Sequence, residues 1–338
     1  MGTECHRVGL IGCGWMAPFH AAALQSLSDR ARVVWAADPV RERAEAIALP
    51  IGARSLTDYH EGLGEVDCAF VVVPHNLHHP ITLDCFRAGC HVLLEKPIAT
   101  SVEQADEMIE AAERAGKTFM VGYQHRYKNC VQQFKKILDS GRYGKPFLLE
   151  GVMDSSMKGY ALGWIASKET LGGGVFFSSS PHLLDVMLFV GGEVQSLRMV
   201  GTRGGVSMEG EDTAACVMKF RNGMIGLLRD TWASPRCRTW YSLHAACEKA
   251  HVTLTTTPLG DLAHDAHRCA WVTRIVADGE AEEVLLESGE GLDVVPEIQH
   301  FFDCVDSGNR PQTDGRMARK LIALILEAYR DAETDGAN

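Results

Sequence analysis

Arg7-Val8-Gly9-Leu10-Ile11-Gly12-Cys13-Gly14-Trp15-Met16-Ala17 is an apolar run broken by two glycines and continued by a helix-forming stretch to Leu27. Its first five residues read as a buried strand, and the pattern after them is G-x-G-x-x-A. The first glycine permits a tight turn, the second lets the backbone approach a pyrophosphate, and the small Ala17 lets helix pack closely on strand. The helix that opens there points its free amides and positive dipole end at the same phosphates. Taken by itself such a turn also serves as a plain connector, so its meaning depends on the strands downstream of it.

A second apolar run, Val33-Val34-Trp35-Ala36-Ala37, ends at Asp38, about the spacing at which an acidic residue binds the adenosine ribose hydroxyls. A carboxylate there repels a 2′-phosphate, so NAD is expected rather than NADP, although Arg41 and Arg43 nearby offer partners to such a phosphate. Strand and helix patterns then alternate through Asp67 to Val73, a helix from about His79 to Ala88, Val92-Leu93-Leu94, a helix after Ser101, and Thr118 to Gly122. Ser101 and Gln104 read as a capping box and Gly116 as the stop of that helix. Alternation of this kind predicts a parallel sheet covered on both faces.

Ligands of such sheets bind outside the carboxyl ends of the strands. Two segments fall at that edge. Glu95-Lys96-Pro97 follows Val92-Leu93-Leu94, and the proline forces the chain out of the strand while holding Lys96 extended. Pro74-His75-Asn76-Leu77-His78-His79-Pro80 follows the strand ending at Val73. The candidate cofactor residues are therefore Gly12, Gly14, Trp15, Met16, Asp38, Pro74, His75, His78, Glu95 and Lys96. The competing reading of the histidines is that they cap or pack against the next helix, and of Asn76 that it is a turn residue.

Beyond Tyr123-Gln124-His125-Arg126-Tyr127 and a helix around Val131 to Leu138 the pattern changes to successive strands. Cys216 to Phe220 and Met224 to Leu228 flank Asn222-Gly223 as a hairpin, and Trp271 to Ala277 with Glu283 to Leu286 flank a second near Asp278-Gly279. Phe147 to Met153, Gln195 to Val200, Arg238 to His244 and His251 to Thr255 are further strands. The fold class is therefore α/β, a Rossmann domain over 1–123 followed by an α+β domain over 124–338 with a large, mostly antiparallel open sheet. The final helix, about 313–335, is expected to return to the first domain. Within the second domain Ser180 reads as an N-cap before Pro181, and the helix so started carries His182 and Asp185 on one face. The run Gly172-Gly173-Gly174 before it implies a close backbone approach to something.

In order and spacing these elements resemble the Gfo/Idh/MocA (glucose-fructose oxidoreductase / inositol dehydrogenase) family over nearly the whole chain. The matching segments are Gly12 to Ala17, Pro74 through His78, Ala88-Gly89-Cys90-His91-Val92 leading into Glu95-Lys96-Pro97, and the glycine run before His182-x-x-Asp185. The resemblance implies NAD-dependent hydride transfer to or from a secondary alcohol of a sugar, polyol or sugar acid, with the residues matching Lys96 and His182 flanking the reacting carbinol. It also implies a homodimer or homotetramer assembled through the open sheet. One departure concerns Ser178, which stands where members of the family often carry an aspartate, so that Asp185 is left as a candidate to orient His182. A second is His75, at a position where many members have asparagine. Arg126, Lys158, Tyr160 and Trp164, with Ser178 and Asp185, are candidate substrate contacts. Two other readings stay open: an enzyme that keeps its NAD and oxidises transiently to cleave or epimerise a sugar, and a catalytically silent NAD sensor.

Composition narrows the partners. A formal net charge of −11 argues against nucleic acid, whose backbone calls for clustered Lys and Arg. No apolar run is long enough for a membrane span, and the opening residues run into a strand without space for a signal peptide, which suggests a cytoplasmic location. The eleven cysteines are odd in number and scattered through apolar segments, so neither a disulfide framework nor a metal site is expected. His264-Asp265-Ala266-His267 is a candidate metal pair by spacing and reads as an exposed polar loop.

Overall fold

A computed structural model describes residues 5–159, 162–235, 241–258, 271–290 and 293–335. The chain forms two compact units, Met1–Gln124 with Asp293–Ala323, and His125–Leu292 with Leu324–Asn338. The first boundary lies one residue from the expected one. The stretch Asp293–Ala323, which sequence patterning assigns to the second domain apart from the start of its final helix, groups with the first unit instead. The cause is local pairing and packing: Val121 N donates to Thr313 O at 2.8 Å, and Phe301 and Phe302 ring-pack on Phe70 at 5.6 and 6.2 Å.

In the first unit β1 (His6–Ile11), β2 (Ala31–Ala37), β3 (Arg54–Leu56), β4 (Cys68–Val71), β5 (His91–Glu95) and β6 (Phe119–Gly122) form one sheet in the order β3-β2-β1-β4-β5-β6. Every pairing is parallel. Strands β1, β4, β5 and β6 carry nearly continuous runs of buried residues, as burial on both faces demands. Because all six run the same way, Ile11, Val71, Glu95 and Gly122 end at one edge. Helix Val102–Ala115 is capped as its sequence requires, with Ser101 Oγ accepting Gln104 N at 3.2 Å and Gly116 left-handed at φ 63°. The Gln104 side chain reaches past Ser101 to the Thr100 amide and hydroxyl, so the box closes one residue early.

The second unit is built on a sheet of β7 (Pro146–Asp154), β8 (Val194–Thr202), β9 (Thr213–Phe220), β10 (Ile225–Thr231), β11 (Tyr241–Cys247), β12 (His251–Pro258), β13 (Trp271–Asp278) and β14 (Glu282–Glu290). Its order is β14-β13-β12-β11-β7-β10-β9-β8, antiparallel throughout except where β10 lies parallel to β7. Both expected hairpins form. One face carries the helices: Leu183 and Met187 of helix Ser180–Gly191 lie over Gly151, where an added Cβ would meet them within 3.1 Å. Alternate residues on the other face stay accessible, with Val200 72% and Val217 54% exposed. Among the described residues no single helix is long and apolar enough to cross a membrane.

Candidate active site

The turn after β1 shows two glycines used for different reasons. Gly12 sits at φ 90°, and a Cβ there would lie 2.2 Å from Val72 O, so the fold itself excludes any other residue. Gly14 lacks both constraints: a Cβ on it would meet nothing within 4 Å. What its bare backbone leaves is open space before the helix Ala17–Ser26, the space a pyrophosphate needs. Trp15 beside it is 54% exposed and tilts against Phe19 at 5.3 Å, while Met16 occupies the N-cap position and Ala17 is fully buried.

Asp38 is buried and ties β2 to this turn, its Oδ2 accepting Cys13 N at 3.0 Å and its Oδ1 accepting Val40 N at 2.9 Å. Each oxygen keeps a second lone pair for a ribose hydroxyl. Arg41 and Arg43 are exposed, and Arg41 lies 4.0 Å from Glu45. Cys13 is not a reactive thiol: burial first, and the Asp38 charge second, push its pKa up to about 12.

The loops after β4, β5 and β6 meet the same edge. Lys96 is half-buried directly after β5, and the Lys96–Pro97 peptide bond is cis. Glu95 accepts His20 Nε2 at 2.8 Å through Oε1, and its Oε2 accepts the Lys96 amide at 3.3 Å. Burial pushes the Glu95 carboxyl up, but the His20 hydrogen bond and the His20 and Lys96 charges outweigh it and hold it below the ordinary carboxylate range. His75 is buried with its ring 5.5 Å from that of His78. His78 departs from its expected part as a cofactor contact, because it is fully buried with Nδ1 2.7 Å from Pro97 O and Nε2 3.0 Å from Val73 O. Both ring nitrogens are occupied by the chain's own carbonyls.

Two residues at this edge stand out in the structure and not in the sequence. Asn76 Oδ1 and Gln124 Oε1, following β4 and β6 on either side of β5, are buried acceptors without a hydrogen-bond partner among the described residues. Leaving a buried acceptor unmatched costs about 1–3 kcal/mol. A nicotinamide carboxamide or a ribose hydroxyl would supply donors of the kind they lack. With the open Gly14 and the Asp38 carboxylate, the residues present fit a dinucleotide.

In the second unit the glycine run approaches the protein itself rather than a ligand. A Cβ on Gly174 would fall 2.3 Å from Glu211 O, and one on Gly173 would fall 2.8 Å from Tyr329 Oη and Phe177 Cβ. Tyr329 donates to Glu211 Oε1 at 2.6 Å and accepts Gly174 N at 3.1 Å, which pins the short helix Val175–Ser178 ahead of His182. Ser180 is not the N-cap. The helix begins at Ser180 with Ser179 before it, and the Ser180 hydroxyl donates instead to the buried Asp230 Oδ2 at 2.9 Å. Ser178 is buried at the end of the short helix.

Asp185 does not orient His182. It is fully buried, and both of its oxygens accept the Arg126 guanidinium, Oδ2 at 3.0 Å from Nε and Oδ1 from Nη2. Burial pushes the Asp185 carboxyl up and the Arg126 charge opposes it. Arg126, expected as a substrate contact, is spent on this pair and stacks 4.9 Å from the Phe189 ring. His182 instead lines a tightly packed pocket with His125, Met153, Leu183, Val186 and Tyr241. Its ring meets His125 edge-on at 4.9 Å, His125 meets Tyr241 at 5.0 Å, and the buried Lys128 places Nζ 5.8 Å from the Tyr241 ring. Sequence patterning does not find this group, since no local rule links residues so far apart. Lys158 is exposed, Trp164 is half-buried with its carbonyl taken by the Thr170 hydroxyl, and Tyr160 and His264 to His267 lie outside the described residues. Among the described residues no three His, Cys, Asp or Glu side chains converge as metal ligands.

Comparison with known proteins agrees with this geometry. Residues 6–123 match the family described as "Oxidoreductase family, NAD-binding Rossmann fold", and residues 131–253 match the "GFO/IDH/MocA C-terminal domain". The chain belongs to the Gfo/Idh/MocA family. It is 27% identical to the myo-inositol 2-dehydrogenase of Thermotoga maritima across 66% of this chain and 67% of that protein. It is 25% identical to the UDP-N-acetylglucosamine 3-dehydrogenase of Acidithiobacillus ferrooxidans across 95% of each. Among solved structures, the WlbA dehydrogenase from Bordetella pertussis, in complex with NADH and UDP-GlcNAcA, is 25% identical and superposes with a TM-score of 0.81 over 98% of both chains. The first unit is thus the family's NAD-binding domain, and the mixed sheet is its C-terminal domain.

Proposed function

We propose that the protein is an NAD-dependent dehydrogenase moving a hydride between nicotinamide and a secondary alcohol of a sugar, polyol or sugar acid. The observation that carries the reading is Lys96, half-buried where β5 ends, on the same edge as a turn whose Gly14 faces open space. NAD supplies the hydride acceptor, and the chain supplies position and charge. Oxidising an alcohol requires its hydroxyl proton to leave as the carbonyl forms. The Lys96 ammonium hydrogen-bonds the developing alkoxide and fixes the alcohol. We assign His182 as the proton acceptor, a role imidazole suits near neutral pH. Two relatives matched over 95% or more of their length, a UDP-N-acetylglucosamine 3-dehydrogenase and a dehydrogenase bound to UDP-GlcNAcA, favour a sugar or a nucleotide sugar among the candidates.

The test is NADH absorbance with NAD and a panel of inositols, aldoses, aldonic acids and UDP-sugars. Turnover with one class is expected. Tight NAD binding without turnover on any of them sinks the reading. Lys96→Ala should lower kcat by roughly 10²–10⁴-fold, the range of a positioned acid–base or oxyanion group, with NAD affinity kept; a near wild-type rate refutes its role.

A homodimer or homotetramer and a cytoplasmic location are part of the same proposal. The accessible sheet face supports the first, since Val200 and Val217 stand exposed together on its paired strands β8 and β9. None of the nine cysteines described is in a disulfide, which suits a reducing compartment. Light scattering at twice or four times the 37.0 kDa chain mass is the expected result.

A further inference from the structure

The hydrogen-bond ladder that fixes β5 stops at Glu95, which pairs with Gly122. Lys96 and Pro97 lie beyond it, so the strand does not hold the lysine backbone. Two buried histidines take hold on either side. His20, 1% exposed, binds the Glu95 carboxylate at 2.8 Å, and that carboxylate in turn accepts the Lys96 amide. His78, fully buried, binds the Pro97 carbonyl at 2.7 Å and lies 3.0 Å from the Val73 carbonyl. Each histidine belongs to a helix that opens just after a cofactor-side loop. His20 is on Ala17–Ser26, behind the glycine turn, and His78 is the first residue of His78–Arg87, behind Pro74 to Leu77.

We infer that His20 and His78 are positioning residues that bracket Lys96 and lock its backbone to the two loops lining the nucleotide edge. The inference rests on Lys96 being the catalytic lysine proposed above. Both rings act through hydrogen bonds to the chain itself. His20 has Nε2 on Glu95, a carboxylate that can only accept, so an N–H sits on Nε2. His78 faces two carbonyl acceptors, and burial lowers its pKa, so the ring stays neutral with a single N–H. The shorter contact assigns that hydrogen to Nδ1 and Pro97, the side on which Lys96 stands. Catalytic groups need placement to within about 0.5 Å, and about 1 Å of misplacement costs roughly 10²-fold in rate.

The experiment compares His78→Asn with His78→Gln, and His20→Gln with His20→Leu, in the full chain with NAD and the best substrate of the panel. Asparagine puts an amide N–H near the Nδ1 position and so keeps the Pro97 bond; glutamine puts it near Nε2. Expected are kcat losses of roughly 10–100-fold in His78→Gln and His20→Leu. NAD Kd, read from tryptophan fluorescence, should stay within about twofold, because the phosphate and ribose contacts are untouched. The primary deuterium isotope effect on kcat should rise as the chemical step slows. His78→Asn and His20→Gln should recover most of the rate. The bracket is overturned if Asn and Gln at position 78 behave alike, or if rate losses follow NAD Kd or melting temperature rather than the isotope effect. Should His78→Gln not fold, the His20 pair gives the same comparison from the other side of Lys96. Lys96→Ala measured alongside separates the two ideas: wild-type turnover there removes the functional reading, whereas a dead Lys96→Ala beside fully active histidine variants removes only the bracket.

Discussion

The two sheets solve the problem of building a site in opposite ways. In the parallel sheet every strand ends at one edge, so Gly12, Pro74, Lys96 and Gln124 lie on a common rim although more than a hundred residues separate the first from the last. Linear order alone predicts that rim. In the eight-stranded sheet neighbouring strands mostly alternate in direction, and β7 pairs with β10 and β11 rather than with β8. The group around His182 is therefore assembled from residues 125, 153, 182 and 241, which no local rule brings together. Asp38 and His78 in the first unit are tied to backbone amides and carbonyls, while Asp185 in the second is held by a buried side-chain partner, Arg126.

That contrast breaks most visibly at Arg126 and Asp185. Removing one partner of a buried ion pair strands the other charge, at a cost of about 3–5 kcal/mol. Asp185→Ala should lower stability by that amount, read by chemical unfolding, while Arg126→Leu with Asp185→Leu should regain most of it. A loss under about 1 kcal/mol would show that the pair is solvated and that Arg126 is available to substrate after all.

Legibility in the sequence divides along the same line. The places of Gly12 to Ala17, Asp38 and Lys96 in the fold are legible because the order of strands in a parallel sheet fixes where those backbones lie. The Ser101 cap and both hairpins are legible because turn and cap chemistry is local. His78 is misjudged from sequence because its exposure depends on where the Pro97 carbonyl comes to rest, nineteen residues on. The glycine run reads as a close backbone approach without naming its partners, which are Glu211 and Tyr329, the latter from the far end of the chain. The pairing of Asp185 with Arg126 rather than with its helix neighbour His182 likewise depends on packing between helices, which spacing along one helix does not reveal.

The next effect sharpens the reading of the first unit. Asp38→Asn keeps the shape of the side chain but removes the charge that a ribose hydroxyl would meet. A hydrogen bond to a charged group contributes about 1.5–3 kcal/mol, so NAD affinity should weaken roughly tenfold or more. NADP affinity should improve, because its 2′-phosphate no longer meets a carboxylate. Titration of both cofactors checks this, and an unchanged NAD-to-NADP ratio would remove Asp38 from the ribose site and leave it as a tie between β2 and the Cys13 amide.

The smallest effect tests the opposite end of β5 from Lys96. His91 Nδ1 accepts the Thr118 amide at 3.0 Å, a bond only an unprotonated Nδ1 can make. Burial, followed by the Lys117 and His6 charges, lowers its pKa to about 4. The unfolded chain, with histidine near about 6.5, binds that proton more readily. Stability from this residue is therefore complete above about pH 6.5 and drains away as pH falls toward about 4. The ring is partly accessible, so the slope should be shallow. His91→Asn, whose Oδ1 replaces the acceptor without titrating, should flatten the acid limb of an unfolding-versus-pH series while leaving turnover at neutral pH unchanged. If the limb is as steep in His91→Asn as in the wild type, the acid sensitivity of the parallel sheet comes from its carboxylates. The amino edge of β5 would then carry no titrating element.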